Sequence, residues 1–205
     1  MPLGEKMSQV AETAKLFPHV TLGKNVTIED FCIIGAPFRG QTDEETIIGD
    51  NAIIRTHTVI YAGNRIGDNF QTGNKANIRE LNRIGNNVSI GALSVLEHTI
   101  IVEDNVRIHS QAFIPEYSVL KKNCWIGPNV VLTNAKYPRS PKVKETLKGA
   151  IIEESAKIGA NSTILPGVTI GKNSLVGAGS VVTDNVQENH IVAGNPAVFI
   201  RKIDY

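Results

Sequence analysis

The residues with the clearest potential for chemistry are one histidine and two glutamates that recur at a spacing of eighteen residues. Glu80, His98 and Glu116 form this series, and Ala62 and Asn134 extend it in both directions. A histidine beside a carboxylate can take a proton from an attacking amine or hydroxyl, because the carboxylate orients the ring and stabilises the imidazolium. These side chains can act together only if the chain forms a coil that repeats every eighteen residues.

Aliphatic residues recur at every sixth position over most of the chain. From Ile48 to Leu132, fourteen of the fifteen residues at this interval are aliphatic, and Thr72 is the exception. A period of six fits neither an α-helix nor a plainly alternating strand, whereas short β-branched runs favour short strands joined by turns. Three such units close a triangular coil of eighteen residues around an aliphatic axis. Stacked coils then pair as parallel strands.

The repeats themselves resemble a known family. Strings such as IGDNAI, IGNNVS, IGANST and IGKNSL are similar to those of the hexapeptide-repeat acyltransferases. The resemblance implies an all-β fold, a left-handed parallel β-helix with one extended loop, assembled as a homotrimer with active sites between subunits. Periodicity alone does not determine the hand, and the general rule for parallel crossovers favours a right-handed path. Flat faces on a thin prism suit symmetric packing.

The phase of the repeat predicts the domain organisation. We expect an N-terminal lead-in at 1–19, the β-helix at 20–187 with an inserted loop at 133–151, and a C-terminal tail at 188–205. Between Ile34 and Ile48 the phase shifts by two residues, which predicts a modest outward bulge. The inserted loop carries two prolines and five basic residues. A long loop on a regular scaffold commonly carries function.

One corner of the predicted coil is explained by backbone geometry alone. Asparagine follows at the same position in four successive coils, as Asn69, Asn87, Asn105 and Asn123. Asparagine tolerates left-handed backbone and hydrogen-bonds to its own turn. We therefore expect a structural ladder without chemistry at this corner.

Two segments resemble motifs of sugar-modifying enzymes. The string SVLEHT is similar to the VEH motif of bacterial sugar N-acetyltransferases, which implies that His98 is a general base. An acidic residue commonly follows that histidine, but here it is Thr99, so Glu80 or Glu116 would supply the orienting carboxylate. The string GPNVVLTNAKYPRSP resembles a loop of nucleotide-sugar N-acyltransferases. It implies that Asn134, Tyr137 and Arg139 bind a sugar or phosphate.

Each of these assignments has a structural alternative. The column of Glu80, His98 and Glu116 could be a solvated corner with ordinary surface charges, and the basic loop could cover a neighbouring subunit. His109 lies between Gly91 and Gly127 in another column, which leaves an open slot for a ligand. Alternatively, His109 could be an ordinary turn residue that contacts no ligand.

The C-terminal repeats resemble the part of the family that holds coenzyme A. The resemblance implies that small residues such as Ala160 and Ala178 let pantetheine lie along the coils, and that Lys172, Arg201 and Lys202 meet its phosphates. We expect acetyl-CoA or another acyl-CoA as the donor, and no metal. Similar coils occur in proteins of this fold with other functions, so the segment does not by itself establish donor binding.

Composition excludes several function classes. Twenty-one basic and twenty acidic residues give a net charge of +1, so we expect no nucleic-acid partner. The chain shows no apolar signal core and no run of eighteen apolar residues, which predicts a cytoplasmic protein without membrane insertion. Cys32 and Cys124 lie far apart, as reduced buried thiols would.

Four functions remain in view. The favoured prediction is acyl transfer from coenzyme A to the amine of a nucleotide-linked amino sugar, with His98 as base. O-acetylation of serine, a sugar or sialic acid is the alternative within acyltransferases. A zinc carbonic anhydrase of the same fold needs three converging histidines, and the usual pair separated by four residues is absent from this sequence. A non-catalytic solenoid is the last possibility.

Overall fold

Short strands form the three faces of a coil in this computed structural model, which describes residues 8–39 and 43–204. The first face contains Gln9–Val10, Thr27–Ile28, Ile53–Ile54, Gln71–Thr72, Ser89–Ile90, Arg107–Ile108, Trp125–Ile126, Lys157–Ile158, Leu175–Val176, His190–Gly194 and Ala197–Lys202. The second face contains Lys15–Leu16, Ile33–Ala36, Val59–Tyr61, Asn77–Ile78, Val95–Leu96, Phe113–Ile114, Val131–Leu132, Thr163–Ile164 and Val181–Val182. The third face contains Val20–Leu22, Thr46–Ile48, Arg65–Ile66, Arg83–Ile84, Ile101–Val102, Val119–Leu120, Ile151–Ile152 and Thr169–Ile170.

The aliphatic residues of the six-residue period stack along the axis. On the first face Ile90 pairs with Ile108, and Ile108 pairs with Ile126, each in parallel register. All three side chains are buried, and so are the small residues at the corners, such as Ser94 and Ala112. Burying one isoleucine side chain contributes about 1.5–3 kcal/mol, so the repeated axis supplies the main stabilisation. The predicted all-β parallel β-helix of the left-handed class is confirmed.

The asparagine ladder stabilises the corner that follows the third face, named here the third corner. Asn69 donates from Nδ2 to Oδ1 of Asn87 at 2.9 Å, and Asn87 donates in the same way to Asn105 at 3.1 Å. All three residues have left-handed backbone, with φ between 55° and 60°. The left-handed conformation was predicted correctly. The amides, however, bond to the next coil, because eighteen-residue stacking brings identical side chains within reach of one another.

Both insertions leave the coil at the corner that follows the second face, named the second corner. Val20 pairs with Thr46, a separation of 26 residues, which is eight more than a regular coil of eighteen. The expected two-residue bulge is therefore wrong in size, because eight residues shift a six-residue phase by the same amount as two. Residues 40–42 lie outside the described part of the chain. Val119 pairs with Ile151 at a separation of 32, so the second insertion adds fourteen residues.

The second insertion contains one regular element. A single 3-10 turn spans Val143–Glu145 and lies within the predicted loop 133–151. The coil resumes with Ile151–Ile152, whose strand pairs with Val119–Leu120 on the third face. The polar loop therefore leaves the axis without breaking the stack of parallel strands.

Both ends of the chain take part in the coil. Gln9–Val10 pairs in parallel with Thr27–Ile28, so stacking begins inside the segment predicted as a lead-in, of which residues 1–7 lie outside the described range. In the predicted tail, His190–Gly194 pairs with Leu175–Val176 and forms an antiparallel hairpin with Ala197–Lys202. Residue 205 is also outside the described range. In residues 8–39 and 43–204, no helix is long and apolar enough to cross a membrane.

Candidate active site

His98 lies at the second corner with a polar partner on each ring nitrogen. Its Nδ1 is 3.1 Å from the hydroxyl oxygen of Thr99, and its Nε2 is 3.5 Å from Oε1 of Glu116 in the next coil. The Thr99 contact is a hydrogen bond, whereas 3.5 Å exceeds the usual length of an N–H···O bond. About a quarter of each side chain, 23% for His98 and 25% for Glu116, remains exposed. Nε2 and the carboxylate therefore flank a position that a ligand can reach.

Asn134 fixes the Glu116 carboxylate. Its Nδ2 donates to Oε2 of Glu116 at 2.6 Å and lies 3.4 Å from the Glu116 carbonyl oxygen. The stacking of coils thus connects Asn134, Glu116, His98 and Thr99 in one polar series. Asn134 was predicted to bind substrate, and here it orients the carboxylate beside the histidine.

Glu80, on the other side of His98, is committed to an arginine. Arg79 donates from Nε and Nη2 to both carboxylate oxygens of Glu80, at 2.9 and 3.1 Å, and its Nη1 lies 3.3 Å from Glu97. The Glu80 side chain is buried. Burial alone would raise its pKa, but the Arg79 hydrogen bonds and charge, with a smaller contribution from His98, lower it below the ordinary value. Of the two carboxylates considered as partner for His98, Glu116 makes the direct contact.

A pocket opens beside His98. It is lined by Arg39, His98, Glu116, Tyr117, Lys144 and Leu147, and its volume is about 150 Å³. The Tyr117 ring meets the imidazole edge to face, with ring centroids 6.1 Å apart. The lining residues come from the second corner and from both insertions, so residues distant in sequence enclose the histidine.

The backbone at Thr99 is unusual. Its φ is 58°, and it is the one β-branched residue with positive φ among the described residues. A β-branched side chain in left-handed backbone is a genuine outlier, and such strain tends to persist at functional sites. Thr99 stands at the corner position that asparagine occupies in most coils at the third corner, and its hydroxyl contacts His98.

His109 lies at the corner after the first face, named the first corner, apart from His98. Arg107 Nε donates to His109 Nε2 at 3.1 Å, and the imidazole packs against the Trp125 ring with centroids 4.7 Å apart. Burial and the positive charge of Arg107 lower the pKa of His109. A second cavity of about 170 Å³ opens here, and its walls include Gly73, Gly91 and His109. The predicted slot exists, but within one chain it is not part of the His98 pocket.

The other predicted substrate ligands in the loop are exposed. Two-thirds of Tyr137 is exposed to solvent. Lys136 Nζ lies over its ring, 5.7 Å from the ring centroid. Arg139 is exposed and has left-handed backbone, with φ of 63°. Neither residue lines the His98 pocket. The basic residue that the same loop brings to the pocket is Lys144.

The predicted donor-binding residues fall into two groups. Ala160 and Ala178 both lie at the first corner, two residues after strands Lys157–Ile158 and Leu175–Val176 that pair with each other. A side chain added at neighbouring Gly179 would meet no atom within 4 Å, so this corner is open. Lys172 stands instead at the third corner, where its Nζ lies 2.8 Å from Glu154.

The two basic residues of the C-terminal hairpin are exposed. Arg201 Nη1 lies 2.8 Å from Asp204, and Lys202 pairs with His190 at the end of the antiparallel register. The Arg201 guanidinium can bind another anion through this nitrogen only after it releases the Asp204 carboxylate. Both side chains project from the hairpin that ends the first face.

Metal-ligating side chains do not cluster in the described residues, and both cysteines are buried there. No three His, Cys, Asp or Glu side chains come together there in an arrangement that could hold a metal ion. Cys124 is buried, and burial raises the pKa of its thiol to about 12. Cys32 is buried too, and its Sγ donates to the Arg55 carbonyl at 3.1 Å.

The repeat pattern has a counterpart in a described protein family. The family "Bacterial transferase hexapeptide (six repeats)" matches residues 83–116 and 149–184. The match covers about a third of the chain. Its matched repeats include the whole second-corner series from His98 to Glu116 and the first-corner segment with Ala160 and Ala178.

Proteins of known name are similar to parts of this chain. A galactoside O-acetyltransferase of Lactococcus lactis is 43% identical over 82 residues, which cover 38% of this chain and 40% of that protein. A 2,3,4,5-tetrahydropyridine-2,6-dicarboxylate N-acetyltransferase of Clostridium perfringens is 54% identical over 54 residues, covering 26% and 23%. The chain thus spans less than half of either relative's length.

A solved structure shares the fold. The structure of a UDP-N-acetylglucosamine acyltransferase from Bacteroides fragilis superposes with a TM-score of 0.55 and 17% identity, over 95% of this chain and 74% of that one. At this identity the likeness extends to the β-helix only.

Sequence reasoning missed the residues that close the pocket. Arg39, Lys144 and Leu147 come from insertions, where the six-residue phase gives no position for a side chain. One signal was available: Ile34 and Leu132 both end second-face units, so both insertions had to leave at the corner that carries His98. Arg79, which holds Glu80, also went unnoticed.

Proposed function

We propose that this protein transfers an acetyl or related acyl group from coenzyme A to the amino group of a nucleotide-linked amino sugar, with His98 as general base. The observation that carries the proposal is His98 at the wall of a pocket, with its Nε2 next to the Glu116 carboxylate. Support for acyl transfer comes from relatives named as acetyltransferases of both O- and N-type.

His98 is arranged to accept a proton at Nε2. When Nδ1–H donates to the Thr99 hydroxyl, 3.1 Å away, the Nε2 lone pair points to the space beside Glu116. The amine of the acceptor attacks the thioester carbonyl, the carbon–sulfur bond breaks, and the amine proton passes to Nε2 and then to the leaving thiolate. Glu116 stabilises the imidazolium that exists between these transfers. The products are an amide and free coenzyme A.

The donor fits best along the first corner. The side chains of Ala160 and Ala178 are small and project little from this corner. The space beside Gly179 is open. An extended pantetheine could lie over this surface and bond to backbone amides, with Lys202 or Arg201 near its phosphates. Because the first and second corners belong to different edges of one prism, we infer that a homotrimer joins the donor site of one subunit to the His98 pocket of the next.

A thiol-release assay tests the proposed function. Wild-type protein is supplied with acetyl-CoA and a series of UDP- and dTDP-linked amino sugars while free thiol is measured. His98→Ala should lower turnover by about 10²–10⁴-fold, the usual contribution of a general base. His19→Ala is the matched control, because His19 is exposed at the start of the coil. Turnover retained in His98→Ala would contradict the assignment and direct attention to His109.

O-acetylation is the second candidate, and a specific observation favours it. The galactoside O-acetyltransferase of Lactococcus lactis is similar over 82 residues, whereas the N-acetyltransferase of Clostridium perfringens is similar over 54. The same His98 Nε2 could deprotonate a hydroxyl. Assays with matched amino and hydroxy sugars separate the two, since an O-acetyltransferase releases thiol with the hydroxy sugar and forms an ester that hydroxylamine cleaves.

A further inference from the structure

The two insertions form one wall of the His98 pocket. The first leaves after strand Ile33–Ala36 and the second after Val131–Leu132, both on the second face. Four regular second-corner turns, which carry Ala62, Glu80, His98 and Glu116, separate the two departure points. Arg39 of the first insertion and Lys144 of the second line the same cavity. An open chamber beside His98 is thus lined by segments more than a hundred residues apart.

The chamber pairs two cations with one carboxylate. Arg39 and Lys144 are exposed and form no ion pair with another described residue. The facing carboxylate, Glu116, is already bonded to Asn134 and lies against His98. Two positive groups are therefore available at the rim, while the negative group sits at the histidine. This polarity suits an acceptor with a basic nitrogen at one end and an anionic group at the other.

We propose that Arg39 and Lys144 form an anion clamp that selects acceptors carrying a phosphate or carboxylate a short distance from the acylated group. The clamp rests on the proposed function and defines the acceptor class of that site. Arginine offers a planar two-pronged donor, and lysine adds a mobile point charge, which together match the oxygens of either anion. Tyr117 supplies a flat side wall for the part of the acceptor between the anion and the amine.

The clamp is tested first by binding, without catalysis. Isothermal titration of UDP and of inorganic pyrophosphate into the full-length protein should give saturable binding that weakens about tenfold or more in Arg39→Gln and in Lys144→Gln, because each removes a charge-assisted hydrogen bond. Lys142→Gln is the matched control, because Lys142 is exposed in the same basic loop as Lys144 and does not line the pocket. Equal weakening in clamp and control variants, or no weakening in any, would overturn the clamp.

Kinetics then identify the anion. Three acceptors are compared: a neutral amino sugar, an amino sugar acid, and a UDP-linked amino sugar. The clamp variants should raise KM about tenfold or more for an anionic acceptor, with kcat within about twofold, and leave KM for the neutral sugar unchanged. A rise limited to the sugar acid indicates a carboxylate ligand, and a rise limited to the UDP sugar indicates phosphate. The same rise for all three acceptors would refute charge selection.

Failure of the clamp and failure of the proposed function give different results. If the wild-type protein releases no thiol with any acceptor while UDP binding still depends on Arg39 and Lys144, the acyl-transfer proposal fails and the anion site stands. If thiol is released normally by both clamp variants and UDP binding is unaffected, the clamp fails and the acyl-transfer proposal stands.

Discussion

The imidazole Nε2 of His98 lies 3.5 Å from a carboxylate oxygen of Glu116, in the coil eighteen residues further along the chain. The two residues do not belong to one local motif. They lie together because successive coils stack on one another. The contact is too long for a formed hydrogen bond and short enough for strong electrostatic interaction.

Glu116→Gln should lower kcat about tenfold or more, and its effect should not add to that of His98→Ala. The amide keeps the shape and the contact with Asn134 but cannot stabilise the imidazolium. The measurement is thiol release by the two single variants and the double variant. If the double variant loses the product of the two single effects, the residues act independently and the pair has no shared role.

Two variants of Thr99 separate the effect of its backbone strain on stability from the effect of its hydroxyl on catalysis. Thr99→Gly should leave the free energy of unfolding unchanged or raise it by up to about 1 kcal/mol, because glycine accepts the left-handed backbone freely. It should nevertheless lower kcat, since His98 Nδ1 loses its hydroxyl partner. Thr99→Ser keeps the hydroxyl and should restore most of the activity. Activity lost equally in both variants would show that the methyl group, and not the hydroxyl, matters.

Glu80 gives a pH-dependent contribution to stability. Because its pKa is lower in the folded protein than in the unfolded chain, where it is near 4.5, stability from Arg79 and Glu80 is present above that value and is lost as pH falls through the folded pKa. At pH 7, Glu80→Gln should cost about 1–3 kcal/mol of unfolding free energy, and the difference should shrink below about pH 4.

Urea unfolding at several pH values measures the Glu80 effect. Glu154→Gln is the control, because Glu154 forms an exposed ion pair with Lys172, and exposed pairs contribute little. If the unfolding free energy lost in Glu80→Gln stays constant down to pH 3, the stabilisation does not depend on the ionised Glu80 carboxylate.

The asparagine ladder should be stabilising in two separable ways. Asn87→Gly keeps the left-handed backbone but removes the side-chain bonds to Asn69 and Asn105, at a cost of about 1 kcal/mol. Asn87→Ala removes the same bonds and adds left-handed strain of about 1–2 kcal/mol. Unfolding in urea should therefore rank wild type above Asn87→Gly, and Asn87→Gly above Asn87→Ala. Equal unfolding free energies of the two variants would show that the left-handed backbone at residue 87 does not affect stability.

The sequence by itself determined the scaffold and the alignment of its corners. A six-residue aliphatic period predicts a three-sided coil, in which Ile90, Ile108 and Ile126 stack on the axis. In the regular coils each corner residue then lies above its equivalent eighteen positions earlier. The series of Glu80, His98, Glu116 and Asn134 followed from that arithmetic. It is a local and periodic property, so no knowledge of distant contacts was needed.

The tertiary structure alone decided which partners each of these residues takes and what covers them. Glu80 binds Arg79 while Glu116 turns to His98, a choice between two carboxylates at equal sequence distance that depends on rotamers and competing charges. The insertions have no six-residue period, so the tertiary structure alone decided that Arg39 and Lys144 line the pocket beside the histidine. Periodic sequence sets the positions of side chains along the corners, and their chemistry depends on contacts between segments that share no period.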